Sequence, residues 1–415
     1  MIDIVILNRN LRLHDNAALF YGSLRSNYKV IYLYDEKYWE ANGKSSRQLK
    51  FSTDCLDELN KDLEKLGSKV NIFEGSFDDL IKWIDLNFDD FFIHMNHCTD
   101  IDYFRRGYEK FKNHFEKKLR IYDDFGIQLN NFDRDSWSKN WNHIMNADLL
   151  GKPKPSNIDL GLNLTDFDAF KNKIKSKFSN LKNIQEGGTS HAVGLLESFL
   201  NDRCENYRVK MSSPSLSEDS CSRLSPHFTY GSISIRQVYQ RLNESLPTLN
   251  NKKDLYSFKK RLYWHCHFVQ KLHTEPELEF YSMHRMCDSL RTEHDNEIIE
   301  KWIKGETGFP FLDACMKFLN KHGWINFRMR AMIMSFASYN MWQPWQKTSP
   351  FLAELFTDYE PGIHISQVQM QSGVTGINLP RIYSVPKQSM DQDPNSEWTK
   401  TVSYTHLTLP TKNEV

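Results

Sequence analysis

The sequence predicts an α/β half built on a doubly wound parallel sheet, followed by an all-α half. Three observations lead to this. Short apolar runs alternate with amphipathic segments over the first third, that rhythm stops near residue 131, and from His191 onward apolar residues recur at helical spacing. At 415 residues the chain also has material for two cores rather than one.

Ile2 to Leu7 is an apolar run with one acidic interruption, and Val30 to Tyr34, Val70 to Phe73 and Phe91 to Met95 are similar. Strands of this kind are buried on both faces, as a parallel sheet requires. Between them, apolar residues three or four apart predict helices over Asp15 to Leu24, Arg47 to Leu66, Phe77 to Leu86 and Tyr103 to Leu119. The stretch 131–189 reads as an interdomain connection, with NNFDRDSWSKN, the prolines of GKPKPSN and a Lys/Asn-rich segment closing in EGGTS. Ala192, Leu195, Leu196, Phe199 and Leu200 then share one helical face, and Phe258, Leu262 and Val269 continue the pattern. The expected organisation is therefore an α/β domain over 1–130, a connection over 131–189 and a helical domain over 190–400.

Charge narrows the function classes. Lys and Arg total 53 against 53 Asp and Glu, so the chain cannot hold nucleic acid through bulk charge, although a local basic groove stays open. No run approaches the roughly 18 apolar residues that span a bilayer, and MIDIVILNRN lacks a signal-peptide layout. A soluble cytoplasmic protein with no membrane contact is expected. The seven cysteines form no CxxC pair, which suits reduced thiols better than a disulfide framework or a zinc ribbon. Among the 18 glycines there is neither GxGxxG nor a P-loop, so a dinucleotide would have to be held by other means.

Three segments carry candidate chemistry. Cys221 to Arg236 gathers hydroxyls, arginines and a Pro-led turn before a helix; this is either an ordinary N-cap turn or a phosphate cradle, and the turn is the plainer reading. In Arg261-Leu-Tyr-Trp-His-Cys-His-Phe, Arg261, Trp264 and His265 share a helical face. His265 and His267, two apart, point in different directions, which argues against a metal site. Gly305 to Leu319 is a Gly/Pro turn running into an amphipathic helix, followed by two arginines amid aromatics and methionines. That pair fits a structural ion-pair helix or the wall of an anionic, aromatic-ligand pocket equally well.

LNRNLRLHDNAAL, SRLSPHFTYGSIS, TGFPFLDACMKFL, GWINFRMRAMIMSF and RIYSVPKQSMDQDP resemble, in order and spacing, the motifs of the photolyase/cryptochrome flavoproteins over about residues 1–398. The resemblance implies a Rossmann-like antenna domain and a helical domain holding a U-shaped FAD, with a pocket opening onto a DNA-binding face. In photolyases the reduced, light-excited flavin passes an electron to a pyrimidine dimer flipped out of the duplex, because a buried flavin cannot approach a stacked base. An antenna chromophore of folate or deazaflavin type is also implied, and the antenna-domain loops carry no motif that assigns it.

Carried over by motif, Tyr207 and the Cys221, Ser222, Leu224, Ser225 turn fall at the FAD phosphates, with Cys221 replacing a usual Thr. Arg330 corresponds to the arginine beside the flavin ring and Asp358 to its acidic partner. Glu360 stands where a second Asp is usual, and His364 takes the position next to flavin N5. In the substrate pocket Arg261 replaces a glutamate that bonds the dimer, and Trp264 is kept. Phe327 replaces an Asn and Met370 a Trp, Ala331 stands in place of a Met, and Arg328 and Gln388 are kept. Of the three tryptophans that relay electrons to the flavin in many members, only the middle one has a clear counterpart, Trp345. The proximal position reads Val368 and the distal one falls near Thr292, so a rerouted path through Trp324, Tyr339 or Trp342 is expected, unless those aromatics are simply core.

The implied function is a light-dependent DNA photolyase, monomeric, acting on damaged DNA, duplex or single-stranded. The rival is a cryptochrome-like blue-light receptor that binds FAD without repair, and a weaker third reading is a flavoprotein working in the dark. TKTVSYTHLTLPTKNEV departs from the family pattern and resembles a translated adapter or assembly scar, so residues 401–415 are expected to be a non-native, poorly ordered tail.

Overall fold

A computed structural model describes residues 1–41, 43–124, 126–130, 132–156, 164–246, 252–377 and 379–404. Six strands, β1 (Ile2–Leu7), β2 (Tyr28–Tyr34), β3 (Val70–Glu74), β4 (Phe91–Asn96), β5 (Leu119–Tyr122) and β6 (Thr165–Asp166), form one sheet in the order β5-β4-β1-β2-β3-β6. The first five are parallel, and β6 runs antiparallel to β3. All six residues of β1 are buried. Ile2, Ile4 and Ile6 enter one apolar layer with Leu80 and Phe111, while Val5 and Leu7 enter the other with Phe51 and Phe170. Cover on both faces is why the run does not alternate with polar residues.

Two boundaries differ from expectation for local reasons. The first helix is Ala17–Gly22 and does not start at Asp15, because Asp15 adopts φ 53 and the Asn16 side chain caps the helix by accepting from the Leu19 amide. The helix expected to reach Leu119 is Asp102–His114. Phe115 ends its apolar face, and Leu119 opens β5, which pairs with β4 from Ile93 onward.

The stretch expected as a connection is built into both domains. Helix Trp137–Asn146 inserts Trp137, Trp141 and Met145 into the helical core beside Tyr239 and Cys266. β6 extends the sheet, and helix Phe167–Ile174 closes its core, with Phe170 meeting the Tyr34 ring edge-on at 4.8 Å.

Past β6 the described residues form no further strand. Helix Lys252–Thr274 packs on helix Pro361–Gln371 at Gly362, where a Cβ would stand 2.7 Å from the Phe268 carbonyl oxygen, so only hydrogen fits. Helix Glu397–Tyr404 docks through Trp398 against Phe311 and Phe318, and Val402 is buried. The tail boundary expected at residue 400 therefore falls inside a packed helix, and the rest of that tail, 405–415, lies outside the described residues.

The loop after β1 joins the domains. The Arg12 guanidinium donates to the Gly231 carbonyl and pairs with Asp124 at 3.0 Å, Asp15 pairs with Arg236, and Gly231, at φ +66, lies against the Arg9 backbone. Arg9 and Glu360, both nearly fully buried, form an ion pair across the same boundary.

Candidate functional site

The turn before helix Ser225–Tyr230 is ringed by four guanidiniums, Arg203, Arg223, Arg261 and Arg330, of which Arg223 faces Glu218 and Arg330 faces Asp358. Leu224 is fully buried and Pro226 opens the helix. The Ser222 hydroxyl accepts from the Leu224 amide at 3.4 Å, and Ser225 gives its carbonyl to Thr229. Arg203 donates to the Cys221 carbonyl and to the Leu195 carbonyl. Arg223, Arg203, Arg261 and Arg330 all act electrostatically on Cys221, yet burial still pushes its thiol up to about 11, so a neutral thiol lines the turn. Burial pulls the Arg223 pKa down, its nearest carboxylate is Glu218 at 3.5 Å, and the Ser220 hydroxyl is buried with no partner. A buried hydroxyl without an acceptor, beside a turn ringed by four arginines, suits an anionic ligand such as a pyrophosphate. Tyr207 is buried nearby, its ring edge on Phe199 and its hydroxyl bonded to Arg261.

Deeper in, helix Phe327–Ser335 presents Arg330, whose Nη1 and Nη2 donate to Asp358 at 3.0 and 2.9 Å and whose Nε donates to the Ile325 carbonyl at 2.7 Å. This bidentate pair fixes the plane of the guanidinium. The Thr229 hydroxyl donates to the Asp358 carbonyl at 3.3 Å, tying the pair to the cationic turn. His364 is buried, with Nε2 2.9 Å from the Ser349 hydroxyl and 3.1 Å from the Ser349 carbonyl. A carbonyl only accepts, so the Nε2–H tautomer satisfies that contact. Burial, aided by Arg330, holds the His364 pKa down to about 4, so the ring is neutral in ordinary buffers. Glu360 immediately precedes the helix that carries His364, but its carboxylate is taken by Arg9.

At the surface, Arg261 and Arg328 approach one ring, with their Cζ atoms 4.8 and 5.9 Å from the Phe327 centroid. Neither has a carboxylate partner among the described residues, and the Arg328 Nε is buried and unpartnered. Trp264, one turn along from Arg261, is 48% exposed and stacks on Phe268 at 5.8 Å. Gln388 is buried with its Oε1 unpartnered, and Met370 is half-buried at the end of helix Pro361–Gln371. Trp345 is buried, its Nε1 donating to the Ser282 hydroxyl at 3.1 Å. The structure thus joins Tyr207, Arg261, Phe327 and Arg328 in one contact chain, and Arg330 with Asp358 in another. His265 instead packs on Phe228, Cys266 lies in the core and His267 sits by Trp264. Among the described residues no cluster of three His, Cys, Asp or Glu is arranged to hold a metal.

A site that sequence reasoning missed lies in the α/β domain. A cavity of about 340 Å³ opens where β1, β2 and β4 end, lined by Arg9, Tyr32, Tyr38, Cys98, Arg106 and Lys110 among others. The chain leaves β1 for β2 and, after β3, crosses to β4 on the other side of β1, and such a switch point at carboxyl strand ends forms a crevice whatever motifs its loops carry. That topology was the available signal.

Comparison with known proteins agrees with this layout. Residues 4–118 match the family model described as DNA photolyase, and residues 258–403 match the one described as the FAD binding domain of DNA photolyase. A deoxyribodipyrimidine photo-lyase of Alkalihalophilus pseudofirmus is 29% identical over 219 residues, covering 52% of this chain and 44% of that protein. Cryptochrome-2 of Gallus gallus is 24% identical over 392 residues, covering 84% and 65%. The chain therefore spans less than two thirds of the length of either relative. In fold it is similar to the archaeal photolyase of Sulfolobus tokodaii, solved with two FAD molecules, at a TM-score of 0.80 and 23% identity over 99% of this chain and 95% of that one. The Synechocystis cryptochrome gives 0.83 and 18% over 96% and 88%.

Proposed function

The chain belongs to the photolyase/cryptochrome family, and we propose that it is the repair type, an FAD-dependent, blue-light-driven DNA photolyase acting on pyrimidine dimers. The observation that carries this reading is the surface cluster, where two guanidiniums without acid partners flank an aromatic ring next to a half-exposed tryptophan. Aromatic faces stack bases and unpaired arginines take phosphates or base carbonyls, which together suit a flipped-out dinucleotide.

FAD, when bound and reduced, supplies the electron on excitation. The residues that would hold it are Tyr207 and the 221–225 turn at the phosphates, and Arg330, Asp358 and His364 at the ring. Here Arg330 keeps a fixed positive charge whose counter-ion, Asp358, is buried behind it. His364 stays neutral and orders Ser349. Arg261 offers donors where the family more often has a carboxylate, and Trp264 covers one side of the lesion. The strand-end cavity takes the antenna chromophore, with aromatic walls at Tyr32, Tyr38, Tyr103 and Phe104 suited to a planar pigment. Monomeric, cytoplasmic operation belongs to the same proposal, and no helix among the described residues is long and apolar enough to cross a membrane.

The receptor reading has one observation in its favour, that Arg261 stands in place of a carboxylate and is engaged by Tyr207 and by Met211 Sδ at 3.8 Å. Fluorescence anisotropy with a dimer-containing single strand tests the choice. Repair-type binding weakens with salt, and Arg328→Ala lowers the log–log slope by about one. Salt-insensitive or undetectable binding favours the receptor.

A further inference from the structure

Arg291 is a buried guanidinium, 7% exposed, without a carboxylate partner among the described residues. Its Nη1 donates to the Ser372 carbonyl at 3.1 Å and its Nε has no partner. What surrounds the charge is aromatic: Cζ lies 5.2 Å from the Tyr339 ring centroid and 4.5 Å from that of Trp342. These are two of the three aromatics the sequence offers as substitute electron carriers. The third, Trp324, carries a guanidinium too, with Arg223 Cζ at 4.0 Å. Trp345 has no such cation among the described residues, and its helix, Trp345–Leu355, also carries the Ser349 that contacts His364.

A ring that loses an electron becomes a cation, and a fixed positive charge a few ångströms from its face opposes that through Coulomb repulsion. The attraction that seats Arg291 between two neutral rings turns repulsive once either is oxidised. Tyr339 has a second handicap. Oxidised tyrosine must shed its phenolic proton, and this hydroxyl is buried with no acceptor. Trp342 is 51% exposed and held at φ 56, well placed to meet soluble donors were it not beside the charge.

We propose that Arg291 is a positioning residue that keeps Tyr339 and Trp342 out of the electron supply, so that light-driven reduction of the flavin draws on Trp345 and stops there. The inference rests on the FAD reading of the site. One electron leaves the Trp345 indole for the excited flavin. No atom is transferred, and the Nε1 proton stays in its hydrogen bond to Ser282. The electron is replaced by return from the flavin or, slowly, by a soluble thiol that must reach a buried ring. The chain thus keeps the middle aromatic of a relay and insulates the exits.

The test is blue-light reduction of the FAD-loaded holoprotein with dithiothreitol and no DNA. It follows loss of oxidised-flavin absorbance and, in flash experiments, the transient absorption of oxidised tryptophan. Arg291→Gln is expected to speed reduction roughly tenfold and lengthen the tryptophan signal, whereas Arg291→Lys, which keeps the charge, matches the parent. Trp342→Phe and Tyr339→Phe leave the parent rate unchanged, and Trp342→Phe added to Arg291→Gln removes the gain. A parent rate slowed by either aromatic substitution overturns the proposal, as does an unchanged rate in Arg291→Gln. If Arg291→Gln does not fold, the two aromatic variants decide alone. A parent protein that takes up no FAD overturns the underlying reading, an outcome distinct from FAD uptake with the wrong variant pattern.

Discussion

Replacing Glu360 with Gln isolates one charge at the boundary between the domains. Arg9, Lys44, Asp100 and Glu360 form a cluster whose formal charges cancel, and every member's side chain is at most 6% exposed. The substitution leaves the cluster at +1 with its volume unchanged. Glu360 precedes helix Pro361–Gln371 but makes no side-chain cap bond, so no capping energy is lost with the charge. Removing one partner of a buried pair costs about 3–5 kcal/mol. Asp100 still faces Arg9 Nε at 3.4 Å and Lys44 at 3.8 Å, which places the expected loss near the lower end, at about 3 kcal/mol. Urea unfolding followed by fluorescence measures it as a drop in midpoint at constant slope. Arg9→Met combined with Glu360→Met is expected to lose clearly less than the sum of the two single changes, because the contacting charges leave together. A Glu360→Gln variant within about 0.5 kcal/mol of the parent would refute the reasoning.

Three further outcomes follow from the geometry. Gly231→Ala places a Cβ 2.1 Å from the Arg9 carbonyl oxygen at a φ of +66, so it is expected to lower stability by more than about 2 kcal/mol in a thermal melt. Glu279 is held up to about 7, chiefly by burial, although the Asp102 amide bonded to it at 2.6 Å opposes this. The native state therefore binds its proton more tightly than the unfolded chain. The stability this gives is complete below the unfolded value and is lost as pH rises through about 7, so Glu279→Gln gains on the parent at pH 8 and not at pH 4 in matched melts. Asp358→Asn leaves Arg330 without its counter-ion and is expected to weaken FAD binding at least tenfold in a fluorescence titration; unchanged affinity would place the pair away from the flavin.

Legibility in the sequence followed the range of the interaction. β1 to β4 were readable because burial on both faces leaves continuous apolar runs. β5 and β6, four and two residues long, carry too few positions for any period, and their pairing with β4 and β3 is what makes them strands. The connection was misjudged because its Pro- and Asn-rich composition hides Trp137 and Trp141, whose burial depends on Tyr239 and Tyr263 more than ninety residues away. Within the site, Arg330 and Asp358 came from motif resemblance and meet bidentately. No local pattern relates Arg9 to Glu360, 351 positions apart, so the carboxylate's commitment to the α/β domain was invisible. The same holds for Arg291, which looks like an ordinary surface arginine until Tyr339 and Trp342 close around it.

The central claim, that this pocket splits lesions with light, meets its most direct test in one measurement. Purified protein with reduced FAD is mixed with dimer-containing single- and double-stranded DNA, and restored pyrimidines are counted under blue light and in the dark. The account predicts light-dependent restoration, lost in Trp264→Ala. Unrepaired lesions on both substrates, from protein that holds reduced FAD and absorbs the light, would contradict it and leave the receptor reading in its place.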